Sequence, residues 1–284
     1  MNPLAEIRLP AARGELAALR GGTPGGPPLL CLHGWLDNAA SFVPLAPRLA
    51  GFDLVALDLP GHGASSHRAP GYDYAFVDWI HDVLDAMDAL GWAHADWLGH
   101  SMGGAIASMV AAAAPERVRR LALIEALGPL AGEPAGAAAR LADAVAARRA
   151  LRERPPRRIP DLDAAVAARR SATRMTDAAA RLIVARNLRP FDGGFAWRSD
   201  PRLTLPASLR LGEETIRAVL RAIRAPVLVI AADPPPAYFT VATRVARLAC
   251  LADARSVVIP GGHHLHMEQP DAVAGPLLAF LAAG

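Results

Sequence analysis

Gly99-His100-Ser101-Met102-Gly103, followed by a further glycine, comes directly after the strand-like run Ala95 to Leu98. The chemistry that this spacing offers is nucleophilic. A G-x-S-x-G segment on a sharp strand-to-helix turn forces the serine hydroxyl into the open, and glycine on both sides removes Cβ atoms where neighbouring backbones come close. A serine hydroxyl attacks a carbonyl only when a base takes its proton. The same chemistry needs an acid to orient that base and two backbone N–H groups for the oxyanion.

Four further segments stand where such machinery belongs. His33-Gly34-Trp35-Leu36-Asp37-Asn38-Ala39 follows the run Leu29–Leu32, and Asp58-Leu59-Pro60-Gly61-His62-Gly63 follows Leu54–Leu57. Gly261-Gly262-His263-His264-Leu265-His266-Met267-Glu268-Gln269-Pro270 follows the last strand-like run. Gly194-Phe195-Ala196-Trp197-Arg198-Ser199-Asp200-Pro201-Arg202-Leu203 follows a helical region. With the Ser101 segment, these resemble the α/β-hydrolase superfamily over nearly the full chain. Within it they resemble the serine hydrolase-like proteins related to haloalkane dehalogenases and epoxide hydrolases.

The resemblance implies roles for single residues. A loop histidine followed five residues later by Glu and then x-Pro selects His263 as the base. The loop after the third strand supplies one oxyanion N–H, which makes Trp35 the candidate donor and Met102 the second. His33 is expected to be structural, and the Asp58 turn architectural, with no catalytic role for Asp58 or His62. Trp35, His100 and Trp197 are the expected substrate contacts, with Trp197 equally suited to anchoring a cap. Relatives commonly carry the acid after the seventh strand. Here the strand Val227 to Ala231 runs into Asp233 and three prolines, which puts Pro235 at the usual acid position. A carboxylate also ends the sixth strand, at Glu125, a placement that resembles haloalkane dehalogenases and some esterases. Glu125 is favoured over Asp233.

The rival reading of His263, His264 and His266 is a metal site. No carboxylate or cysteine with ligand spacing accompanies them, so neither metal nor cofactor is expected. The implied reaction is hydrolysis of a small or medium apolar carboxylic ester through an acyl-enzyme. A serine alkyl ether cannot be hydrolysed, which argues against haloalkane or epoxide substrates. Thioesters, lactones, amides and activated C–C bonds stay open, as does a non-catalytic ligand-binding protein on the same fold.

These residues must be positioned by an alternation of strands and helices. Strands are predicted at Glu6–Leu9, Glu15–Leu19, Leu29–Leu32, Leu54–Leu57, Ala95–Leu98, Arg120–Ile124, Val227–Ala231 and Ser256–Ile259. Helices are predicted at Phe42–Leu49, Tyr74–Leu90, Gly104–Ala113, Tyr238–Leu251 and Asp271–Leu281. The fold expected is α/β, a mainly parallel eight-stranded sheet flanked by helices. Residues 126–224, rich in Ala and Arg, show only helical patterns, at Gly136–Arg152, Leu162–Arg170, Asp177–Asn187 and Glu213–Ile223. They are read as a helical cap inserted after the sixth strand, between core segments 1–125 and 225–284.

At 284 residues and 52% hydrophobic, the chain can bury a large core. All 30 basic residues are arginine and the net charge is +3. The arginine-rich run Arg148 to Arg158 lacks interleaved aromatics and reads as a solvated helix end rather than a nucleic-acid surface. Cys31 and Cys250 are expected to be buried, unpaired thiols, which fits a cytoplasmic protein. No signal peptide or membrane-spanning run is expected, and the only partner implied is a small-molecule substrate.

Overall fold

The structure, a computed structural model, describes residues 4–151 and 158–282. Two strands open the chain as an antiparallel hairpin, β1 (Ala5–Ala11) and β2 (Gly14–Gly22). β3 (Pro28–Leu32) and β4 (Asp53–Leu57) are almost wholly apolar and buried, as strands covered on both faces must be. Then come α1 (Asp78–Ala89), β5 (Ala95–His100), α2 (Met102–Ala113) and β6 (Val118–Ile124). An insertion carries α3 (Ala137–Leu151), α4 (Leu162–Ala172), α5 (Asp177–Asn187), β7 (Leu188–Phe191), β8 (Gly194–Trp197) and α6 (Glu213–Leu220). The chain closes with β9 (Val227–Asp233), α7 (Val241–Leu248), β10 (Ala254–Pro260), α8 (Leu265–Glu268) and α9 (Pro270–Ala282).

All eight predicted strands join one sheet, in the order β1-β2-β4-β3-β5-β6-β9-β10. It is antiparallel only where β2 meets β1 and β4. The period-two alternation of side chains sorts the sheet onto two apolar layers. Leu30, Leu32, Trp97, Leu121 and Val229 face Val83 and Met87 of α1, Ile106 and Val110 of α2, and Ile216 of α6. Leu29, Cys31, Leu98, Ala122 and Ile230 face Phe42 and the α9 residues Val273, Leu277 and Leu281. From β3 the chain first builds β4 on one side and then β5 on the other, so a crevice opens at the carboxyl ends of these strands.

Several boundaries differ from the sequence reading. The predicted helix Phe42–Leu49 is two short 3-10 turns, Ala39–Phe42 and Ala46–Leu49, because Pro44 and Pro47 each remove a helix donor. The insertion, read as helical throughout, contains the β7–β8 hairpin. Its turn is Asp192-Gly193, both at positive φ (48° and 66°), the Asp-Gly signal that such a turn requires. Cys31 is buried, but Cys250 is only half-buried; both are free thiols. The middle of the predicted arginine-rich run, 152–157, lies outside the described residues. At its ends, Arg148 pairs with Asp73, and Arg158 donates to the Asp192 and Gly193 carbonyls. Among the described residues, no helix is long and apolar enough to cross a membrane.

Candidate active site

Strand register brings the candidate residues together. His100, the last residue of β5, pairs with Ile124, the last residue of β6. The next residues, Ser101 and Glu125, therefore emerge side by side, and Ser101 N–H donates to the Ile124 carbonyl at 2.9 Å. Ser101 has φ 50° and ψ −114°, a backbone state that costs a residue bearing a Cβ about 1–3 kcal/mol. Close packing enforces the turn. A Cβ on Gly99 would lie 2.4 Å from Gly104 Cα, and one on Gly103 would lie 2.1 Å from the Leu32 carbonyl oxygen.

Glu125 also has positive φ, 57°, and is 1% exposed. Its backbone N–H donates to the Ile230 carbonyl, and its Oε1 accepts from the Ala232 N–H at 2.6 Å, so β9 fixes the carboxylate at both ends. Oε2 is then left facing His263 Nδ1 at 3.4 Å. Asp233, the alternative acid, is exposed at the end of β9. Among the described residues, no hydrogen bond or ion pair joins it to His263. Burial pushes His263 below the usual histidine value, against the opposing pull of Glu125. That environment favours the neutral imidazole that a base requires.

Sequence reasoning missed Tyr238. Its hydroxyl stands 2.8 Å from His263 Nδ1 and 3.2 Å from Nε2, and it also engages the Ser101 side chain. Burial and the nearby Glu125 charge push this phenol up, so it remains protonated. No motif marks it. The only signal was its place five residues beyond Asp233, on the loop leaving the carboxyl edge of the sheet.

Met102 opens α2, where first-turn N–H groups have no intrahelical acceptor. Trp35 lies on the loop after β3, beside Leu36 at φ 57°. Its half-exposed indole donates through Nε1 to the Leu203 carbonyl of the insertion at 2.9 Å. His33 is held as one neutral tautomer: Nδ1 donates to the Gly34 carbonyl, Nε2 accepts from Leu59 N–H, and burial pushes it down to about 4. Asp58 accepts from the Ala39 and Ala64 N–H groups and pairs with Arg186.

Two expected substrate contacts point elsewhere. His100 is fully buried, and its Nε2 donates to the His263 carbonyl at 2.9 Å, so it braces the histidine loop from inside. Trp197 packs within the insertion's own apolar cluster with Val166, Val184 and Leu188, held there by the β7–β8 hairpin.

A family model described as alpha/beta hydrolase fold matches residues 27–270. The chain is 33% identical to a serine hydrolase-like protein of Danio rerio, over 97% of this chain and 88% of that one. A crystal structure of a hypothetical protein from Pseudomonas aeruginosa PAO1 is 41% identical, with a TM-score of 0.92 over 98% of this chain and 99% of that one. The thioesterase domain from the curacin biosynthetic pathway is 25% identical, with a TM-score of 0.84 over 98% of this chain and 100% of that domain.

Proposed function

Because the chain belongs to the α/β-hydrolase family, we propose that it is a serine hydrolase that cleaves a small or medium apolar carboxylic ester through a Ser101–His263–Glu125 triad. The observation that carries this reading is the 3.4 Å approach of Glu125 Oε2 to His263 Nδ1 beside the strained Ser101 turn. In the proposed reaction His263 takes the Ser101 proton as Oγ attacks the ester carbonyl. Glu125 holds the imidazole tautomer and stabilises the imidazolium that forms. The Trp35 and Met102 N–H groups receive the oxyanion, a contribution of roughly 10²–10³ in rate per donor. The imidazolium returns its proton to the departing alkoxide. Water, deprotonated by His263, then releases the acid. Residues 126–224 act as the cap over this site.

A thioester substrate is a second reading, favoured by the likeness to the curacin-pathway thioesterase domain. The same triad serves it, with a thiolate as leaving group. The test is hydrolysis of p-nitrophenyl esters and matched acyl thioesters over a range of acyl lengths, run beside Ser101→Ala and with fluorophosphonate labelling. Turnover of short and medium esters that disappears in Ser101→Ala is the expected result. Turnover of thioesters alone moves the assignment to the second reading. Absence of both turnover and labelling would leave a ligand-binding protein.

A further inference from the structure

We propose that Asp37, His100 and His264 form a buried site for a divalent transition-metal ion of the zinc class, directly behind Ser101 and His263. The sequence showed histidines without a carboxylate at ligand spacing. The fold supplies one from the loop after β3, more than two hundred residues away from His264 in sequence. The three side chains are 1%, 0% and 2% exposed.

Asp37 Oδ2 lies 3.5 Å from His100 Nδ1 and 3.3 Å from His264 Nε2, and the three atoms all lie within 4.8 Å of one another. Tetrahedral zinc with bonds of about 2.0–2.2 Å places neighbouring ligand atoms roughly 3.3–3.6 Å apart. Both separations to the carboxylate match that spacing, and the two imidazole nitrogens, within 4.8 Å of each other, would close to the same range around a bound ion. Two imidazoles and one carboxylate suit zinc-like ions better than calcium or magnesium, which take oxygen ligands.

A second observation concerns hydrogen atoms. His100 Nε2 faces the His263 carbonyl and so carries the ring proton. In the neutral ring Nδ1 then aims a lone pair at a carboxylate oxygen. This fully buried nitrogen has no hydrogen-bond partner. Two facing acceptors repel unless a cation stands between them. Two of the three side chains have the outer partners that ligating groups need, while His264 Nδ1 is buried without one. His100 gives its other N–H to a backbone carbonyl, and Asp37 Oδ1 is held by Arg169. A Cβ on Gly34 would come within 2.9 Å of both Asp37 Oδ2 and His100 Nδ1, so glycine keeps the space against these two atoms clear. The ion's role is to tie together the loop after β3, the end of β5 and the loop after β10.

The test uses the full chain stripped with a chelator and titrated with Zn²⁺ alone. Calorimetry and metal analysis after dialysis give the stoichiometry, and thermal melts give the stability change. The proposal expects one tightly held ion per chain and a raised Tm. His264→Gln should weaken binding beyond the roughly 10–100-fold that outer partners cost, and should abolish the Tm rise. His67→Gln, at an exposed histidine, should leave both intact. Asp37→Asn should act like His264→Gln; if it unfolds for want of the Arg169 partner, His264→Gln alone decides. Failure of the wild type to hold zinc through dialysis would overturn the site and assign the cation between His100 and Asp37 to a second proton. Binding that survives in His264→Gln would overturn it equally, as surface capture. Neither result bears on Ser101.

Discussion

At the scale of single residues, three non-glycine positions with positive φ, Leu36, Ser101 and Glu125, lie at the carboxyl edge of the sheet. Strained residues persist only where the surroundings over-determine them, and here Ser101 and Glu125 leave neighbouring strand ends, with the Glu125 carboxylate 3.4 Å from His263 Nδ1. Ser101 and His263 were legible from motif and spacing. Glu125 was legible as an ionisable residue ending an apolar strand. Tyr238 was not, because a hydroxyl brought in by a proline-rich loop leaves no periodic trace. Its hydroxyl stands 2.8 Å from His263 Nδ1 and 3.2 Å from Nε2 and also engages Ser101, so it competes for the groups that the proposed triad would join. A net hydrogen bond is worth about 0.5–1.5 kcal/mol. Tyr238→Phe is therefore expected to speed fluorophosphonate labelling of Ser101 roughly 2- to 10-fold, with circular dichroism unchanged. Slower labelling would instead make the hydroxyl a group that assists the attack.

At the scale of elements, the insertion is held to the sheet by polar contacts, most of them between buried or half-buried groups. Arg186 of α5 reaches Asp58 and Glu6, Arg169 of α4 reaches Asp37, and Asn38 donates to the Ile183 carbonyl. Asp58 is fully buried and the Arg186 side chain only 12% exposed. Removing one partner of such a pair leaves an uncompensated charge and costs about 3–5 kcal/mol. Arg186→Ala should lower Tm and speed proteolysis within the insertion; an unchanged melt would show that other contacts dock α5. The buried central strands β3, β4, β5, β6 and β9 were readable because strands covered on both faces are largely apolar runs, whereas β1, β2 and β10, at or near the sheet edges, were read from shorter apolar stretches mixed with polar residues. The β7–β8 hairpin was not, because Leu188–Phe191 and Gly194–Trp197 are short and flanked by helical composition. The Asp-Gly turn between them was the missed signal. These cross-element pairs were also invisible, since their partners lie far apart in sequence.

At the scale of the whole molecule, one sheet register assembles the site. β5, β6 and β9 run parallel with His100 beside Ile124 and Ile124 beside Ile230, so Ser101 and Glu125, the first residues beyond β5 and β6, emerge together, and Glu125 lies along β9, which continues to Asp233. β10 then returns His263 to the same edge from the far side of β9. Asp233 also ends a strand at this edge, yet it is exposed, whereas Glu125 is buried and braced by β9. The central claim is therefore a choice between two carboxylates on neighbouring strands, and kcat for ester hydrolysis in Glu125→Ala and Asp233→Ala decides it. The account predicts a fall of roughly 10³–10⁴ for Glu125→Ala, the loss seen when a triad orienter is removed, and little change for Asp233→Ala. The opposite ranking would contradict it.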